Sequence, residues 1–454
     1  MIEADRLWCG AGVNAESQQL LWRTLRELDS AASRAASHGR PRSLSYFDLF
    51  ASRLHAERAA ELARARERGA VVVGLASDLA PAELVWACGG VATAVAGSCA
   101  WWAQAAGDAL GCEADSATRS LVGAAVSRTC PFMALSDLVV IDTLSDARTL
   151  AVDALTAAVP AAVHVLDVPR VRRAASRTAL AAELRALADE IARATGTPLS
   201  VDRLRQAIRQ GNARRRALSH LQAARGLQAP LIGGTDALLV LQCAGFDDPM
   251  RFIGATDLLV DELEAARAQL AFGTAGEACA APRASGPSAG GGAGGDASPL
   301  VAHGGARLMV TGTPLRMFDR ALHFLVEQCG GVVVCEDAGV GALSFERTVS
   351  DGAETVEGLI DALAAHIAEA PVPGRVPLAP RAEALVELAQ RQGAQGVVCA
   401  QVPGSSAHAL EAPTLERAAE AAGLPFMCVE YDLGSVDSAA LRMRLGAFIE
   451  MLAS

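Results

Sequence analysis

From residue 70 onward, short blocks of consecutive apolar residues alternate with longer amphipathic stretches. Residues 70–74 (AVVVG), 138–141 (LVVI) and 162–166 (AVHVL) read as strands, because parallel strands covered on both faces are near-continuously apolar. Residues 92–96 form a shorter block of the same kind. Between these blocks, 78–90, 116–126 and 146–158 carry the helical period. Asp78 is the expected N-cap of the first helix, with Pro81 in its first turn and Gly89-Gly90 as its stop. The alternation predicts a first parallel α/β domain over 69–170.

The pattern repeats nearer the C-terminus. Residues 307–311, 331–335, 397–402 and 426–430 read as strands, and 315–330, 356–368 and 415–422 as helices. A last helix carries Arg442, Arg444, Phe448 and Glu450. This predicts a second α/β domain over 306–454, ending in a strand–helix–strand unit of the doubly wound type. Residues 1–68 read as an N-terminal helical segment, in which the charged, alanine-rich 53–68 suits a surface. Residues 171–272 read as a central helical segment, clearest at 181–194 and 201–224. Residues 273–305 are rich in Gly, Ala, Ser and Pro and read as a loop or linker. The expected fold class is therefore α/β: two Rossmann-like parallel-sheet domains with an N-terminal and a central helical segment.

Composition narrows the function. The chain has 454 residues, too many for one core, and a formal net charge of −11, which disfavours nucleic acid and anionic membrane surfaces as partners. All 40 basic residues are arginine. A Schiff-base lysine and a Walker lysine are thereby excluded, and with them lysine-dependent aldolase, pyridoxal-phosphate and P-loop chemistry. No apolar run reaches the length of a membrane span, and MIEADRLW lacks the apolar core of a secretory signal, so a cytoplasmic protein is expected. Eleven cysteines without a C-x-x-C pair argue against both a disulfide framework and a zinc ribbon.

Ligands of open α/β sheets bind beyond the carboxyl ends of the strands. The loops at 75–78, 142–146, 312–315, 336–345 and 403–408 are the expected site. Gly339 and Gly341 could form a tight turn or cradle a phosphate, and Ser405 and His408 lie in a strand-end loop where ligands are met. Cys130, Cys335 and Cys399 read as small core residues.

Several of these segments resemble one family. Ser77-x-x-x-Pro81-x-Glu83-Leu84, Thr129-Cys130-Pro131-Phe132 followed by Ser136-Asp137-Leu138-Val139, Thr311-Gly312-Thr313-Pro314, and Gly330-Gly331 followed by Glu336-Asp337 occur in order. The chain then ends in AFIEML. In this order they are similar to motifs of the 2-hydroxyacyl-CoA dehydratase and benzoyl-CoA reductase subunits, over most of residues 70–454. The resemblance implies two similar α/β domains and an acyl-CoA substrate. It also implies a 4Fe–4S cluster on three cysteines, a homologous partner subunit and an ATP-dependent activator protein that delivers single electrons for radical chemistry.

The cysteines themselves depart from the family. Matching by spacing puts Asp115 at the first ligand position, with Cys112 three residues away as a weak substitute. The second position falls in Asp142-Thr143-Leu144-Ser145, at Leu144, and the third at Gly339, with Cys335 too early on its strand. Leu343 matches the family's loop arginine. The expectation is a cluster-poor subunit whose cysteine-complete homologue holds the cluster. The rival expectation is a non-catalytic scaffold or assembly protein reusing the fold.

Overall fold

The computed structural model describes residues 13–14, 16–23, 25, 39–95, 97–111, 114–226, 230–273, 303–313, 315–337, 344–430, 433 and 439–454. The first half holds β1 (Val72–Leu75), β2 (Val91–Ala94), β3 (Leu138–Asp142) and β4 (Ala162–Leu166) in the order β2-β1-β3-β4, all parallel. The second half holds β5 (Ala306–Gly312), β6 (Gly331–Glu336), β7 (Gly396–Gln401) and β8 (Phe426–Glu430) in the order β6-β5-β7-β8, again all parallel. The two sheets share one topology, as the repeated sequence pattern implied.

Burial explains the strand composition. Every residue of β3 and of β6 is buried, so each strand is apolar along its length except where a carboxylate ends it, at Asp142 and Glu336. Among the edge strands, β4 and β8 are half-exposed and carry His164 and Glu430, while β6 is covered throughout. Fully burying each Val or Ile of the central strands contributes roughly 1.5–3 kcal/mol.

The helices join the halves. A buried apolar cluster unites Val73 and Val140 of the first sheet with Leu184 and Ile191 of α8 (Ala174–Thr195). The same cluster takes in Leu359, Leu363 and Ile367 of α13 (Val356–Glu369), which belongs to the second half by sequence. Between α8 and α13 run α9 (Val201–Arg225), α10 (Gly234–Cys243), α11 (Pro249–Gly273) and α12 (Ala321–Gln328). A backbone bond from Ser98 N–H to Met317 O at 3.0 Å also ties the halves together. The contact is close enough that a Cβ on Gly97 would lie 2.4 Å from that carbonyl.

Four sequence expectations are corrected. The helix expected to start at Asp78 is α3 (Ala82–Ala87), capped by Pro81; Asp78 points instead to Arg316 of the other half. The helix expected over 315–330 shortens to α12. Gln242 of α10 donates its side-chain N–H to the carbonyls of Leu315, Arg316 and Asp319, which holds 315–320 as a turn, and Phe318 adopts φ 78°. The stretch 53–68 is not a plain surface helix. A π-helical turn (Leu54–Arg58) precedes α2 (Ala59–Glu67), and Leu54, His55, Ala59 and Leu62 are buried. Helix α14 (Ala379–Arg391) lies where no helix was expected, since Pro371, Pro373, Pro377 and Pro380 crowd its start. Residues 16–23 are also helical, and the other labelled helices are α1 (Leu44–Ser52), α4 (Ala100–Ala105), α5 (Ser116–Val126), α6 (Pro131–Leu135), α7 (Asp146–Ala158), α15 (Ser406–Ala421) and α16 (Ala439–Ala453). The linker expected at 273–305 falls almost wholly outside the described residues.

Candidate active-site cleft

In each sheet the chain order reverses between the two middle strands, β1 and β3 in one and β5 and β7 in the other. At such a switch point the two neighbouring loops leave in opposite directions and open a crevice. Here both crevices face one cleft of about 410 Å³. Its walls come from the loops after β1 (Ala76, Asp78), β3 (Asp142–Asp146), β5 (Thr313, Arg316) and β7 (Gly404–His408), with Val372 and Pro373 closing one side. Four of the five loops singled out in the sequence therefore meet. In the fifth, residues 338–343 lie outside the described residues, and Gly339 and Gly341 with them.

The lining is mainly apolar, with Val95, Leu110, Leu121, Leu144 and Leu150 on the first half. Its polar groups are mutually engaged. Asp142 ends β3 and is 2 % exposed; its Oδ1 accepts the Leu144 N–H at 3.0 Å and its Oδ2 lies 3.2 Å from Arg148 Nη1. Ser145 caps α7, accepting the Arg148 N–H at 3.2 Å, so the helix start places that guanidinium over the cleft floor. Arg148 Nη2 also donates to the Ala76 carbonyl. Across the cleft, Arg316 of the second half donates two hydrogen bonds to Asp78 of the first, at 3.1 and 2.8 Å.

Ser405 and His408 flank the start of α15, and the Ser405 hydroxyl meets His408 Nδ1. Burial, then the nearby Arg381 charge, pushes the His408 pKa down to about 3, so the ring is neutral at physiological pH. Its Nε2 is sealed from solvent. The pair can orient a ligand through neutral hydrogen bonds, without an imidazolium charge.

Beneath the second half of the cleft lies a buried ion cluster. Arg381 of α14 donates to Asp337, just past β6, at 2.9 Å, to Glu411 of α15 at 3.0 Å and to the Pro371 carbonyl at 2.9 Å. Burial opposes the arginine's charge, but the two carboxylates more than offset it and raise its pKa. Burial raises the Glu411 pKa, against the pull of Arg381. One cation thus ties the ends of β6, α14 and α15 to the loop that carries Val372 and Pro373.

The positions that matter for a cluster can be tested against the residues present. Asp115 lines the cleft, but it is the N-cap of α5: Oδ1 accepts the Thr118 N–H at 2.9 Å and Oδ2 the Thr118 hydroxyl at 2.8 Å. Leu144 lines the cleft and offers no donor atom. Among the described residues, none of the cleft-lining ones is a cysteine. Cys112 lies outside the described residues; its neighbours Gly111 and Ala114 border the cleft. The described residues do not fit an iron–sulfur cluster. Cys130, Cys335 and Cys399 are buried, as expected of core residues.

Sequence reasoning missed Arg148, Arg316 and Arg381. Arg148 was legible as the third residue after a Ser cap, but an arginine in a helix's first turn has no distinctive spacing. Arg316 and Arg381 act on carboxylates far away in sequence, so no local pattern could reveal them.

Comparison with known proteins agrees with this geometry. Residues 79–452 match the family model described as 2-hydroxyglutaryl-CoA dehydratase, D-component. The chain is also 26% identical over 389 residues to the putative dehydratase subunit YjiM of Escherichia coli (strain K12), covering 85% of this chain and 93% of that protein. Two parallel sheets with matched topology, a shared switch-point cleft and a match across nearly all of both halves lead to one conclusion: the chain belongs to the 2-hydroxyglutaryl-CoA dehydratase D-component family.

Proposed function

We propose that this chain is the cluster-poor subunit of a 2-hydroxyacyl-CoA dehydratase or benzoyl-CoA-reductase-like complex. In that complex, a homologous cysteine-complete subunit holds the 4Fe–4S cluster, and an ATP-dependent activator protein supplies electrons to it. The observation that carries the reading is the cleft itself. The family scaffold and its two facing switch points are kept, while two ligand positions hold Leu144 and a fully engaged Asp115.

The work left to this chain is binding and positioning of the acyl-CoA thioester. The apolar wall of Val95, Leu110, Leu121, Leu144 and Leu150 suits an acyl chain and excludes water from it. Arg148 and the Ser405–His408 pair supply orienting hydrogen bonds beside the apolar wall. Neutral His408 offers hydrogen bonds without a positive charge, and Asp142 holds Arg148 in place.

The test is iron and acid-labile sulfide on anaerobically purified protein, alone and in complex with its homologous partner. The reading expects no stoichiometric iron in the chain alone and iron in the complex. Stoichiometric iron in the chain alone would overturn it, and so would a complex without iron.

A further inference from the structure

A second pocket, of about 310 Å³, lies on the other side of the segment that walls the cleft. Val372 and Pro373 face the cleft, while Arg375, two residues on, lines this second pocket. Its other walls are the start of α8 and the end of α13, and it gathers Arg172, Arg173, Arg177 and Arg375 against one carboxylate, Glu369. That carboxylate is already paired with Arg347. In a chain of net charge −11, four arginines around one depression run against the general balance.

Arg375 is the telling residue. It is 2 % exposed, and its Nη1 donates to the Ile367 and Ala368 carbonyls at 2.6 Å each, closing the C-terminal end of α13. Its Nε and Nη2 have no partner, and Arg172 Nε has none either. A buried guanidinium normally uses its whole fork of donors, and leaving them unmade is costly. Burial first, and then the Arg172 charge, lowers the Arg375 pKa to about 10. An anion in the pocket would relieve both effects. The 22-residue helix α8 adds to the same end: its N-cap, Arg173, makes no side-chain cap bond, and the positive end of the dipole lies at the pocket.

We propose that this pocket is a phosphate-binding site, built from the Arg375 and Arg172 donors, the first turn of α8 and the exposed Arg173 and Arg177. Planar guanidinium forks and helix N-termini both recognise phosphate oxygens. The phosphate could belong to the adenosine 3′-phosphate and pyrophosphate of a CoA thioester whose acyl end enters the cleft, or to a separate phosphorylated small molecule. The CoA source rests on the function proposed above; the phosphate site does not, because its geometry is independent of any cluster.

The experiment is isothermal titration calorimetry of the intact chain with inorganic phosphate, adenosine 3′,5′-bisphosphate, CoA and pantetheine. It is repeated on Arg173→Ala/Arg177→Ala, which removes no described ion pair, and on Arg375→Gln with its folding checked by circular dichroism. Phosphate-bearing probes should bind the native chain and weaken about tenfold or more in the double variant, on the scale of one lost charge-assisted contact. Adenosine 3′,5′-bisphosphate and CoA binding far more tightly than inorganic phosphate, with the same arginine dependence, assigns the site to the CoA carrier. Inorganic phosphate binding as tightly as CoA assigns it to a separate phosphorylated ligand. Binding of no phosphate-bearing probe, or binding that the double variant leaves unchanged, overturns the site. The iron measurement is untouched by either result, so the two readings fail separately.

Discussion

Replacing Arg381 with methionine removes the one cation shared by Asp337 and Glu411 while keeping much of its volume. All three side chains are nearly solvent-free, at 1 %, 0 % and 2 % exposure. Breaking a buried pair from one side leaves an uncompensated charge and costs about 3–5 kcal/mol. Here two carboxylates are stranded, so the upper part of that range is expected near neutral pH. If the second half melts as its own unit, domain-sized scaling puts the fall in its midpoint at roughly 10 °C. The pH dependence gives the sharper check. The Glu411 carboxyl pKa is already raised by burial in the native cluster, and removing the arginine raises it further. A carboxyl whose folded pKa lies above its unfolded value binds more protons in the native state. Stability is therefore gained as pH falls through that window, by up to about 1.4 kcal/mol per pH unit per group. The Arg381→Met deficit should be largest at pH 8 and shrink toward pH 5.5. Thermal melts followed by circular dichroism at both pH values, with native protein alongside, measure it. A deficit below about 1 kcal/mol at pH 8, or one that does not change with pH, would refute the claim that this cation holds the cleft floor together.

Two further outcomes follow from the same kind of reasoning. His55 is buried against Trp22, 4.6 Å between stacked ring centroids, and burial lowers its pKa from 6.5 to about 3. The unfolded chain binds a proton that the native chain refuses, so stability held above pH 6.5 drains as pH falls toward 3; His55→Phe should move the acid-unfolding midpoint downward in near-ultraviolet circular dichroism, and an unmoved midpoint would count against it. A Cβ at Gly97 would meet the Met317 carbonyl at 2.4 Å, whereas one at Gly111, also on the cleft, meets nothing within 4 Å. Gly97→Ala should therefore cost about 1–3 kcal/mol in thermal stability and Gly111→Ala close to none; equal effects would show that the halves are not in firm contact there.

Much of the architecture was readable in advance because it rests on short-range physics. A strand buried on both faces must be apolar throughout, so β3 and β6 could be read as blocks at LVVI and GVVVC, and the half-exposed β4 and β8 kept enough apolar residues, AVHVL and FMCVE, to be read as well. Helices α5 and α7 announced themselves by their period, and the structure supplies the capping residues, Asp115 and Ser145. The loops of the site followed from the rule that ligands meet the carboxyl ends of parallel strands.

The family resemblance, too, was carried by the sequence alone, through motifs in fixed order. So was the identity of residue 144, a leucine with no donor atom in any fold. What only the tertiary structure decided was which distant charges meet. Asp78 looked like a helix cap, yet it binds Arg316 across the cleft, because the halves approach there and a two-toothed arginine contact outweighs a local cap. Arg381 carries no local signal, yet it collects two carboxylates because α14 and α15 pack beside the ends of β5 and β6. The arginines at 172, 173, 177 and 375 are an ordinary scatter along the chain, and only the packing of α8 against α13 brings them around one pocket. Periodicity and capping act within a few residues and are written locally. Ion pairing between segments tens to hundreds of residues apart depends on how the layers dock, which no local pattern encodes.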